Sequence, residues 1–118
     1  MIRKNYRDVE SAQAILSNGT NVEDVTVQWL IDKNMGAQNF AMRRFEIKVE
    51  GKVPLHNHPQ EHEIYVLSGN AKFYNGENKE EIVKEGDVIF IPPNEPHGID
   101  NLGKERFVFI CLIPYLEK

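Results

Sequence analysis

The chain has 118 residues, enough for one domain with a core of its own. Apolar residues make up 41% and charged residues 27%, an ordinary soluble mixture, and no run of about 18 apolar residues marks a membrane span. The net charge of −4, with no basic block, speaks against nucleic acid as a partner.

The opening "MIRKNYRDVE" is too polar for a secretory signal, so the expected address is the cytoplasm. The first 22 residues carry the weakest pattern. "ESAQAIL" suits a helical turn, and "SNGTN" (17–21) is a turn by its Asn-Gly content. From there the chain reads as strands. In "VTVQWLI", Val25, Val27, Trp29 and Ile31 alternate with polar positions. "KNMGAQN" breaks that run. In "RRFEIKVEG", Phe45, Ile47 and Val49 share one face, and the same phase carries Arg43 onto it.

"IYVLSG" is a short apolar strand closed by glycine. "AKFYNGENKEEIVKEG" predicts a hairpin with Asn75-Gly76 at its tip. "DVIFIPP" is a strand halted by two prolines, and "HGIDNLGKE" holds a turn near Gly103. "RFVFICLIP" is apolar on both faces, as suits a strand buried between layers. Short strands with turns every 8–12 residues predict an all-β sandwich or barrel.

All four histidines fall in two segments, "PLHNHPQEHEIYVLSG" and "PPNEPHG". A single histidine is most often a surface residue or a hydrogen-bonded core residue. Together they suggest something else. His56 and His58 share a strand face, and His62 keeps their parity across a short turn. Three imidazoles on one face are poor core residues unless their lone pairs are used, and a divalent transition metal uses them. The turn at 94–96 is placed to bring His97 to the other three. No G-x-S-x-G serine and no phosphate-binding glycine loop is present.

These residues resemble the cupins, whose motifs are commonly written G-x5-H-x-H-x(3,4)-E-x6-G and G-x5-P-x-G-x2-H-x3-N. Gly86, Pro92, His97 and Asn101 fit the second motif, with Asn94 in place of glycine, a residue that tolerates positive φ. The first motif departs further. Gly51 precedes His56 by one residue fewer than usual. His62 fills the glutamate position, with six residues between it and Gly69, while Glu63 beside it is the rival ligand; spacing and parity favour His62.

The resemblance implies a jelly-roll (double-stranded β-helix) barrel over residues 23–118. Residues 1–22 would then be an arm that packs on, or exchanges with, a partner in a homodimer. It also implies one divalent transition metal per chain on His56, His58, His62 and His97, as in the four-histidine cupins. Manganese or iron is favoured, with nickel, cobalt, copper or zinc as alternatives. Four neutral imidazoles do not suit magnesium or calcium. An octahedral ion so held keeps two positions for water or substrate.

Arg43, Phe109 and Cys111 are candidate pocket residues, and Trp29, Met42 and Phe90 are candidates for pocket wall or subunit contact. Arg43 would pair with a substrate carboxylate or with an internal acid. Glu61 and Glu63 would orient a ligand histidine or stand as solvated charges. Two functions follow from the resemblance. One is a metal-dependent enzyme, oxygenase or isomerase, acting on a small organic molecule, with dioxygenase-like oxidation favoured. The other is a non-catalytic module that holds a sugar or organic acid through its metal.

Overall fold

In the computed structural model, which describes residues 1–117, alternation of apolar and polar residues resolves into ten β-strands. They are β1 (Ser11–Ile15), β2 (Asn21–Ile31), β3 (Phe40–Ile47), β4 (Lys52–His56) and β5 (His62–Ser68), then β6 (Asn70–Tyr74), β7 (Glu80–Lys84), β8 (Val88–Ile91), β9 (His97–Asn101) and β10 (Phe107–Pro114). Six form one sheet in the order β1-β2-β3-β10-β5-β8, and four form a second in the order β4-β9-β6-β7. Every pairing is antiparallel. This is the all-β, two-sheet jelly-roll barrel expected.

The inward faces of the two sheets meet in a core that includes Val25, Ile47, Val66, Phe107 and Cys111, all essentially solvent-free. β10 lies between β3 and β5, which explains why both of its faces are apolar. β5 buries His62, Ile64 and Val66 and exposes Glu63, Tyr65 and Leu67, a strict period of two.

Three local expectations change. "ESAQAIL" is strand β1 rather than a helical turn; it is hydrogen-bonded to β2 through the hairpin closed by Asn18 and Gly19. Pairing with β2 outweighs the weak helical preference of its Ala and Gln residues. Val49 is exposed, because β3 stops at Ile47 and Glu50 takes a positive φ of 64° in the turn to Gly51. The β6–β7 connection is a five-residue loop, 75–79. Asn75 Oδ1 accepts the amides of Glu77 and Lys79 there, so Asn75-Gly76 opens the loop and is not a two-residue tip.

The segment before β1 docks on the outer face of the large sheet. Gln28 Nε2 donates to the carbonyls of Tyr6 and Val9 at 2.8 and 2.9 Å, and the Arg44 guanidinium stacks on the Tyr6 ring.

Candidate metal centre

Both connections that cross from one sheet to the other at this end of the barrel carry histidines. The β4–β5 connection holds His58 between His56, which ends β4, and His62, which opens β5. The β8–β9 connection delivers His97 as the first residue of β9. His56 and His97 are direct cross-strand partners, with ring centroids 4.3 Å apart. The two turns are clipped together, since the Asn94 amide donates to the His58 carbonyl at 2.9 Å. Asn94 holds φ at 66°, the left-handed conformation expected of the residue in the glycine position.

The ring nitrogens are sorted. His56 Nδ1 donates to the Pro54 carbonyl and His97 Nδ1 to the Glu95 carbonyl, each at 2.8 Å, which leaves Nε2 of both rings with a free lone pair. His62 Nδ1 lies 2.9 Å from Cys111 Sγ, and its Nε2 lies 2.7 Å from His58 Nε2. Among the described residues, one ring nitrogen from each of His56, His58 and His97 falls within 4.8 Å of the others. His58 Nδ1 is buried and makes no hydrogen bond. Nitrogen lone pairs facing one another in a confined space, backed at His56 and His97 by carbonyl acceptors on the opposite side of the ring, fit a divalent transition metal.

His58, His62 and His97 are held neutral. Burial, reinforced by Arg43 and the neighbouring histidines, depresses His62 to about 2. Burial also lowers His97 to about 4, against the opposing pull of the Glu95 carbonyl. His58 is lowered by burial and by His56. Imidazoles kept unprotonated at neutral pH are competent ligands.

The histidines floor a cavity of about 500 Å³. Its walls include Phe109 and Cys111 on β10, Arg43 and Phe45 on β3, and Trp29 on β2. Arg43 therefore points inward, as its strand phase predicts. Trp29, Arg43 and Cys111 stand in one cross-strand row. The Arg43 guanidinium packs between the Trp29 and Phe45 rings, 5.4 and 4.8 Å from their centroids, and its Nη2 donates to Cys111 Sγ at 3.2 Å. Burial raises the Cys111 thiol, with Arg43 opposing.

Glu63 faces away from the cavity on β5 and does not line it. Met42 and Phe90 also lie outside it, and Phe90 is exposed on the outer face. The rim formed by Ala12, Ala14 and Leu16 was not foreseen. Small residues in a weakly patterned segment carry no signal for it.

A family model described as the cupin domain matches residues 43–113. An oxalate-binding protein of Thermotoga maritima is 35% identical over 71 residues, 59% of this chain and 58% of the relative. An uncharacterized protein of Methanocaldococcus jannaschii is 35% identical over 65 residues, 55% of this chain and 52% of the relative. The chain thus spans little more than half the length of these curated relatives. Among solved structures, the polyketide cyclase RemF of Streptomyces resistomycificus superposes with a TM-score of 0.84 at 33% identity, over 97% of this chain and 79% of that one. A predicted oxalate decarboxylase of Thermotoga maritima gives 0.80 at 24% identity, over 98% of this chain and 100% of that one, a likeness of fold. The two-sheet barrel, the paired histidine turns and a matched span of well over half the chain lead to one conclusion: this protein belongs to the cupin family.

Proposed function

We propose that this cupin holds one divalent transition metal through His56, His58, His62 and His97 and acts with it on a small organic molecule in the barrel cavity. The observation that carries this reading is the convergence of ring nitrogens from His56, His58 and His97, with His62 joined to them through His58, at the floor of a mostly apolar cavity. Bound there, the metal supplies a Lewis-acid or oxygen-activating centre. The chain's own residues bind and orient. Arg43 offers a positive charge, and Phe45, Phe109 and Trp29 exclude water from the ligand's body. Metal-dependent oxidative chemistry is the favoured activity, with manganese or iron the favoured metals.

A second reading, a binding module without turnover, is supported by the lining itself. Among the described residues that line the cavity there is no aspartate, glutamate, lysine or tyrosine to serve as general acid or base. Elemental analysis of tag-free protein is expected to give close to one metal per chain, and His58→Ala and His62→Ala to lose most of it while staying folded. Unchanged metal in both variants overturns the ligand set. Metal-dependent oxygen uptake with organic acids then separates an enzyme from a module.

We also propose a cytoplasmic homodimer. Tyr65, Leu67, Val88 and Phe90 form an exposed apolar group on the outer face of the large sheet, which supports a subunit contact there. The edge position of β1, paired only with β2, supports an exchange of the arm between subunits. Sedimentation of the wild-type protein and of Phe90→Glu measures it; a dimer that becomes monomeric is expected.

A further inference from the structure

Arg43 is the only Asp, Glu, Lys or Arg among the residues that line the cavity. Among the described residues it makes no ion pair. Its neighbours are a thiol, an imidazole and two aromatic faces, none of which carries a compensating negative charge. Nη2 donates to Cys111 Sγ, and no described residue accepts from Nη1. A partly buried guanidinium without a counter-ion is costly unless an anion arrives to meet it. A divalent metal on the histidines, one of which Arg43 touches, would add charge of the same sign.

Size and lining narrow the anion. A volume of about 500 Å³ lies inside the range of ~300–1,000 Å³ typical of pockets that enclose drug-sized ligands. An acid as small as oxalate fills only a fraction of it and leaves the walls without a partner. Those walls are aliphatic and aromatic. Phe45 and Phe109 lie nearly parallel, 5.1 Å apart and 16° from coplanar, and Phe45 continues through Arg43 to Trp29. Rings stacked on one another in this way leave their edges for a ligand, and an aromatic body meets such edges in edge-to-face contact.

We infer that the ligand is an organic anion with an aromatic or similarly flat apolar body, its acidic group at the Arg43 guanidinium and its body against the walls formed by Phe45, Phe109 and Trp29. This rests on the metal-centre reading above and adds the ligand class. The guanidinium, stacked between two rings, is kept from swinging to solvent, so its charge-assisted hydrogen bond is made in place.

The test uses the full metal-loaded chain with three probes: 2-naphthoate, its neutral amide 2-naphthamide, and oxalate. Trp29 is the only tryptophan, so its emission reports occupancy directly, with calorimetry as a second readout. The expected result is that naphthoate binds at least about tenfold more tightly than either naphthamide or oxalate, the selectivity a charge-assisted hydrogen bond and apolar burial supply. Arg43→Gln is expected to weaken naphthoate by about tenfold or more and to leave naphthamide within a factor of about two, whereas Arg43→Lys keeps part of the preference. Metal content is measured for each protein. Failure of the wild-type chain to take up metal overturns the underlying reading. Full metal content with oxalate or naphthamide binding as tightly as naphthoate overturns the ligand class alone. If Arg43→Gln loses metal or unfolds, the wild-type ranking of the three probes still decides.

Discussion

The thiol of Cys111 stands 2.9 Å from Nδ1 of His62, on the side of the ring opposite the histidine cluster. When His62 Nε2 serves a metal, Nδ1 carries the proton and needs an acceptor. Arg43, the other group within reach of Nδ1, only donates, so the sulfur is the acceptor that fixes the ring. Cys111→Ala is expected to weaken metal binding by about tenfold or more, and Cys111→Ser to retain most of it. Competition with a chromogenic chelator measures both. Equal affinities in all three proteins would show that the sulfur does not orient the ring.

Acid is expected to destabilise the metal-free protein. A histidine in the unfolded chain titrates near ~6.5, whereas in the fold His97 titrates at about 4 and His62 at about 2. Above pH ~6.5 both rings are neutral in both states. Below it the unfolded chain takes up protons that the folded chain refuses. Stability therefore falls as pH falls, by on the order of 1 kcal/mol per pH unit per ring, until each folded value is passed. Melting temperatures of chelator-treated protein from pH 7.5 to 5 check this, and His97→Gln is expected to flatten the slope. A flat profile for the wild-type chain would contradict it.

Asn101 ties the end of β3 to the β9–β10 turn. Its Nδ2 donates to the carbonyls of Ile47, Lys48 and Glu105 at 3.0–3.1 Å, and its Oδ1 accepts the Gly103 amide at 2.9 Å. Asn101→Ala strands buried carbonyls and is expected to cost about 3 kcal/mol, a drop on the order of 10 °C in Tm. Asn101→Asp, which sets a carboxylate against those carbonyls, is expected to be worse. Calorimetric melts of the two variants rank them, and the reverse order would be evidence against the staple.

At Asn94 the backbone conformation, and not the side chain, is the requirement. Asn94→Gly is expected to leave stability within about 0.5 kcal/mol, while Asn94→Val forces a β-branched residue to positive φ and costs about 1–2 kcal/mol. The Val variant is also expected to hold metal less tightly, because the amide that reaches the His58 carbonyl shifts with the turn. Denaturant melts and metal titration give the two readings. A Val variant as stable as wild type would mean the turn relaxes freely.

Much of the barrel was legible because its strands expose one face and bury the other. The phase that put Phe45 and Ile47 inward also put Arg43 inward, and the parity of His62 with Ile64 and Val66 holds on β5. What the sequence withheld is adjacency. Arg43 meets Trp29 and Cys111 because β3 lies between β2 and β10, an order that no local pattern encodes. β1 was misread because its inward residues, Ala12 and Ala14, are too small to mark a face, and its strand character comes from pairing with β2. Val49 continued an alternation that the backbone had already abandoned at Glu50.

Ala12, Ala14 and Leu16 wall one side of the cavity from an edge strand with a single neighbour. Edge hairpins part from their sheet at a fraction of the free energy of global unfolding. That side of the cavity is thus held from one direction only, by the β1–β2 ladder and the 16–20 turn that closes it.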